Sequence, residues 1–151
     1  MFYFYLFIII ITLTSIAITI YSFFIGAPIF FTPKKAIRDA LKYCDLKPGN
    51  KFYDLGAGNG RAMIIAEKEF DLKAFGFELS PVLYLISKIN IVLFGKNNGK
   101  LYCQNFYNQN FQEADIVFCF LKPFVMEKLK TKFKKELKPG SKIVSYSFAI
   151  L

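Results

Sequence analysis

The chain has 151 residues, 54% of them apolar and 21% charged, and its mean hydropathy is positive at +0.35. That length allows one compact domain, or one small domain with an appendage, and the composition excludes collagen-like, disordered and disulfide-scaffold classes. The net charge of +9, from 18 Lys and 2 Arg, favours an anionic partner, and the absence of histidine excludes His-based triads and His-ligated metal sites.

The apolar excess sits at one end. The first 31 residues hold 24 apolar ones, and no charged side chain precedes Lys34. As a helix, the run from Phe2 to Ile25 would be ~36 Å long at ~1.5 Å per residue, against ~30 Å of hydrocarbon, so it can cross a bilayer with some tilt. Tyr3, Tyr5 and Tyr21 suit the two interfaces. A cleaved signal peptide would carry a positive n-region and a shorter apolar stretch; an over-hydrophobic cleaved leader is the alternative. Lys34, Lys35, Arg38 and Lys42 all follow the run, which places the remainder in the cytoplasm or on the equivalent side of an organelle membrane. The expected organisation is therefore an anchor over 1–26 and a domain over 27–151.

Within that domain, Thr32 and Pro33 suit a helix start, and Ile37, Ala40, Leu41 and Cys44 follow at helical spacing. Leu46-Lys47-Pro48-Gly49 ends that helix. A strand is predicted over 51–55, a glycine-rich loop over 56–60, a helix over 61–70 and a second strand over 73–78. Ser80-Pro81 opens a helix to about Phe94. Nearly uncharged and too short to span a membrane, it is expected to be buried against the sheet. Short strands follow over 101–104 and 114–121, then a helix over 123–137 and a fifth strand over 142–150. Seven lysines (122, 128, 130, 132, 134, 135 and 138) cluster around the fourth of these helices, as a solvated face or as a contact for anionic lipid. Cys44, Cys103 and Cys119 form no C-x-x-C pair and read as free thiols in a reducing compartment. An AT-rich coding sequence accounts equally for the lysine-over-arginine skew.

Strands alternating with helices predict an α/β fold with a doubly wound, Rossmann-like parallel sheet. Its ligand would lie beyond the carboxyl ends of the strands, at the switch point. The first strand ends there in Tyr53-Asp54-Leu55-Gly56-Ala57-Gly58-Asn59-Gly60-Arg61. Alternating glycines let backbone approach a ligand closely, and the following helix offers free N–H groups. Glu78 closes the second strand, where a carboxylate can accept both hydroxyls of a ribose. A dinucleotide fingerprint would want glycine at Arg61, and no P-loop lysine pattern occurs.

The pattern D-x-G-x-G-x-G after a strand, with an acid ending the next, resembles the class I S-adenosylmethionine-dependent methyltransferases. With the apolar anchor, the segment Pro28 to Pro33 and Gly76-Phe77-Glu78-Leu79-Ser80-Pro81, the order of motifs is similar to that of the membrane-anchored protein-lysine methyltransferases of mitochondria and their prokaryotic relatives. The resemblance implies that Asp54, Gly56, Ala57, Gly58, Gly60 and Arg61 form the loop side of an S-adenosyl-L-methionine site. It further implies that Glu78 binds the ribose and that Asn105 stands where such enzymes often hold an acid against the adenine amine. No catalytic base is identified and no metal is expected. Leu121-Lys122-Pro123 replaces the Asn/Asp-Pro-Pro-aromatic motif of amino-directed DNA and glutamine enzymes, and Phe30-Phe31 replaces the more usual valine-proline. In such enzymes a further helix and an antiparallel hairpin usually follow strand five, whereas this sequence stops there, so either it is a fragment or its sheet is shortened and lacks the last strands, with one edge open. The implied function is methylation of a lysine in a membrane-associated protein, with nucleic acid disfavoured; the alternatives are an RNA methyltransferase and a non-catalytic, membrane-tethered cofactor-binding module.

Overall fold

In a computed structural model describing residues 1–25 and 31–146, five parallel strands alternate with helices. They are β1 (Lys51–Leu55), β2 (Lys73–Glu78), β3 (Lys100–Cys103), β4 (Ile116–Cys119) and β5 (Lys142–Ser145), in the order β3-β2-β1-β4-β5. The chain moves outward from β1 to β3, then crosses back to place β4 on the other side of β1. That reversal puts the switch point between the carboxyl ends of β1 and β4. The expected α/β fold is therefore present.

Strand alternation sends successive side chains to opposite faces, and both faces of this sheet are covered. Phe52 and Phe118 join Ile37 and Leu41 of α2 (Lys34–Lys42), Met63, Ile65 and Ala66 of α3 (Arg61–Phe70) and Ile91 of α4 (Pro81–Phe94). On the other face, Tyr53, Phe77 and Val117 meet Val125, Met126, Leu129 and Phe133 of α5 (Pro123–Glu136). β4 is buried along its whole length, as its unbroken apolar run requires.

Several expectations need correction. Pro33, not Thr32, occupies the N-cap of α2, and no side chain caps that helix. Ser80 does cap α4, accepting from the Leu83 N–H. α4 is not buried against the sheet: only Ser87 and Ile91 are, and its outer apolar side chains face outward. β5 runs over Lys142–Ser145 rather than to Ile150, and residues 147–151 lie outside the described ones.

The N-terminal helix α1 (Phe2–Ile25) contains no charged residue, and its described side chains are almost all exposed. Among the described residues no helix is long and apolar enough to cross a membrane. The crossing expected from the sequence is thus not shown by the fold, and residues 26–30, at the expected anchor–domain boundary, lie outside the described ones.

Candidate active site

The glycine-rich loop leaves the carboxyl end of β1 at the switch point. Gly56, Gly58 and Gly60 have φ of +83°, +59° and +78°, a left-handed backbone that side-chain-bearing residues adopt only with strain. The Gly56 and Ala57 N–H groups both donate to the Phe77 carbonyl, at 2.9 and 3.1 Å, which ties the loop to β2. Gly60 then hands the chain into α3, and a β-carbon on it would lie 2.5 Å from Ser87 Oγ of α4. The third glycine is therefore required by a helix passing close beneath the loop.

Glu78 lies at the end of β2, almost fully buried. Its Oε2 accepts from the Gly58 N–H at 2.8 Å and its Oε1 from the Ser80 N–H at 2.9 Å. Burial pushes its carboxyl up, and the backbone donors partly oppose that. Asp54, on β1 beside Gly76 and Phe118, is also buried. Burial, and then the like charge of Glu78, raise its pKa to about 7. Two carboxyls thus lie under the loop, each pushed up chiefly by burial. Burial, and to a lesser extent the Asp54 charge, push the Cys119 thiol of β4 up to about 12, which disfavours the nucleophilic thiolate.

Arg61 does not point at the two acids. Its Nε donates to Asn59 Oδ1 at 3.1 Å, its Nη1 to the Thr32 carbonyl at 3.3 Å, and the guanidinium stacks over the Phe31 ring at 4.8 Å. Phe31 in turn lies 3.3 Å from where a β-carbon on Gly58 would stand. The segment before α2 is thereby held over the loop, and Asn90 of α4 steadies the other side by donating to the Asn59 carbonyl at 3.0 Å. Phe31 and Asn59 lie in segments the sequence singles out and Asn90 does not, but none of their contacts is marked there, since no local pattern records contacts between segments about 30 positions apart. Asn105 caps a short 3-10 turn (Phe106–Asn108), its Oδ1 accepting from the Tyr107 N–H at 3.0 Å. Of the sequence-derived set, Gly58 bonds Glu78, Gly56 and Ala57 bond the neighbouring Phe77, Asp54 lies within electrostatic reach of Glu78, Gly60 and Arg61 brace the loop, and Asn105 follows β3 in a turn of its own. Among the described residues no cluster of acids and cysteines could hold a metal ion.

The family model of the ANTKMT methyltransferase domain matches residues 54–151, from Asp54 of β1 onward. The chain belongs to this family. Its relatives include a protein-lysine N-methyltransferase of Saccharolobus islandicus (strain REY15A), 37% identical over 82% of this chain and 78% of that protein. A lysine N-methyltransferase of Mus musculus, named for a component of ATP synthase, is 31% identical over 63% of this chain. The adenine nucleotide translocase lysine N-methyltransferase of the same species is 27% identical over 77% of it. The chain spans 38% and 51% of the length of those two mouse proteins. Among solved structures, an RNA methyltransferase from Salinibacter ruber in complex with S-adenosyl-L-homocysteine superposes with a TM-score of 0.74, at 28% identity over 77% of this chain and 76% of that one. An S-adenosylmethionine-dependent methyltransferase from Thiobacillus denitrificans shares the fold at 0.66, with 19% identity over 76% of this chain and 48% of that one. Membership makes S-adenosyl-L-methionine the cofactor of this fold.

The site fits that cofactor on its own chemistry. Asp54 is a buried carboxyl poised to ionise beside a positive group, the loop presents backbone rather than side chains, and Glu78 is a carboxylate at the end of the adjacent strand.

Proposed function

We propose that this protein transfers a methyl group from S-adenosyl-L-methionine to a lysine side chain of a membrane-associated protein. The observation that carries the proposal is the pair of buried carboxyls, Asp54 and Glu78, beneath a glycine loop in a chain whose relatives are named for lysine methylation. When bound, the cofactor supplies an electrophilic methyl on a sulfonium. The protein's own part is to bind and align. Asp54 would face the cationic methionine portion and ionise there, Gly56, Ala57 and Gly58 would let it approach, and Glu78 would take the ribose hydroxyls on releasing Gly58. Asn105 would stand near the adenine, and Gly60 and Arg61 would hold the loop and the Phe31 segment in register. Such a transfer needs alignment and exclusion of water more than a protein base.

We further propose that Phe2–Ile25 anchors the domain, with Lys34 onward on the cytoplasmic side. The support is 24 consecutive helical residues without a charge, and cations that follow them. A tethered site meets membrane proteins at high effective concentration. The likeness to the Salinibacter ruber enzyme, together with the net charge of +9, supports an RNA substrate as the second reading. Membranes incubated with the protein and cofactor carrying a radiolabelled methyl group, then separated into protein, lipid and RNA, distinguish the two. Label in protein is expected, recovered as methyl-lysine after hydrolysis. Label in RNA alone would overturn the lysine reading.

A further inference from the structure

α4 is largely apolar, with Lys88 its one charge, yet it is only half covered. Leu85, Ile86, Ile89, Val92, Leu93 and Phe94 all face outward, Leu93 with 65% of its surface exposed. A contiguous exposed apolar face marks an interaction surface.

Two further observations say what covers it. First, the uncharged helix α1 touches α4, so the helix that bears the apolar face lies beside the segment proposed above as the anchor. Second, Phe94 also lines a groove of about 550 Å³ between α2, α3 and α4. Lys34, Arg38, Arg61 and Lys68 line that groove, against one acid, Glu69, which is itself bonded to Arg38 at 2.7 Å. An apolar face bordered by a cation-lined groove matches an amphiphile with an acyl region and a phosphate.

We propose that the outer face of α4 lies in the plane of an anionic bilayer, with acyl chains against Leu85, Ile89 and Leu93 and lipid phosphates at the groove. This rests on the membrane anchoring proposed above, so the two must be allowed to fail separately. The chain contains no tryptophan, so each introduced one reports a single place. The full-length protein carrying Phe7→Trp (α1), Leu93→Trp (α4) or Phe124→Trp (α5, on the opposite face of the sheet) is reconstituted into vesicles of phosphatidylcholine and phosphatidylglycerol with brominated acyl chains. Emission at positions 7 and 93 is expected to be blue-shifted and largely quenched, and emission at 124 retained.

Quenching at 7 without quenching at 93 would overturn the α4 proposal and leave the anchor. Quenching at 93 without quenching at 7 would keep the α4 face and remove the anchor. A blue shift at 93 without quenching would mean that a second copy covers the face, which also overturns the proposal. So would equal quenching at 93 and 124. Quenching at 93 should fall when phosphatidylglycerol is omitted, and Lys34→Glu combined with Lys68→Glu should abolish that difference. No dependence on phosphatidylglycerol would overturn the role of the groove.

Discussion

Asp54→Asn should stabilise the cofactor-free protein at pH 8 and weaken its hold on S-adenosylmethionine. The folded-state pKa of Asp54, about 7, lies above the ordinary value of 3.8. The folded protein therefore holds this proton more tightly than the unfolded chain does. The stabilisation from the protonated group is complete below the unfolded pKa and is lost as pH rises from about 4 to about 7. The full effect is roughly 4 kcal/mol. Denaturant melts across that interval should show wild-type stability falling while the variant stays flatter, with the gap greatest above neutral pH. A bound cation favours the carboxylate, so cofactor binding below pH 7 should release a proton, and affinity should rise with pH to about 7 and then level. The Asn variant should lose that slope. Parallel melts for the two proteins would mean that burial does not hold Asp54 protonated.

The second large effect separates backbone strain from contact. Gly49 and Gly60 have nearly the same φ, +84° and +78°. A β-carbon on Gly49 meets nothing within 4 Å, whereas one on Gly60 lies 2.5 Å from Ser87 Oγ and 3.2 Å from Ile91. Gly49→Ala should therefore cost only the left-handed penalty, about 1–2 kcal/mol. Gly60→Ala should add an overpacking cost of about 1–3 kcal/mol and displace the loop from α4. Calorimetric melting of both variants checks this, and equal losses would contradict the close passage of α4 beneath the loop.

The contrast between these glycines reflects what could be read locally. β1, α3 and β2 run over the predicted residues because hydrophobic period and glycine punctuation act within a few positions. The loop and Glu78 were legible for the same reason, since a strand–glycine–helix signal and an acid at the next strand end are local. What escaped depends on distant partners. The direction of Arg61 is set by Thr32 and Phe31 about 30 residues earlier. That Glu78 closes onto Gly58 follows from the β1–β2 register. Burial is expected of α4 because a nearly uncharged helix carries no mark of which face remains uncovered, and in this fold only Ser87 and Ile91 are buried.

The cofactor site is tested most directly by calorimetric titration of the full-length protein, in detergent, with S-adenosylmethionine and with NAD. Wild-type protein should bind S-adenosylmethionine and not NAD. Gly58→Val, which strains a backbone at φ +59° and drives a side chain toward Phe31, should abolish binding. Glu78→Ala should weaken it by about 1.5–3 kcal/mol, the worth of hydrogen bonds to a charged group. Equal binding of S-adenosylmethionine by all three proteins, or tighter binding of NAD, would contradict the assignment of the loop and Glu78 as its site.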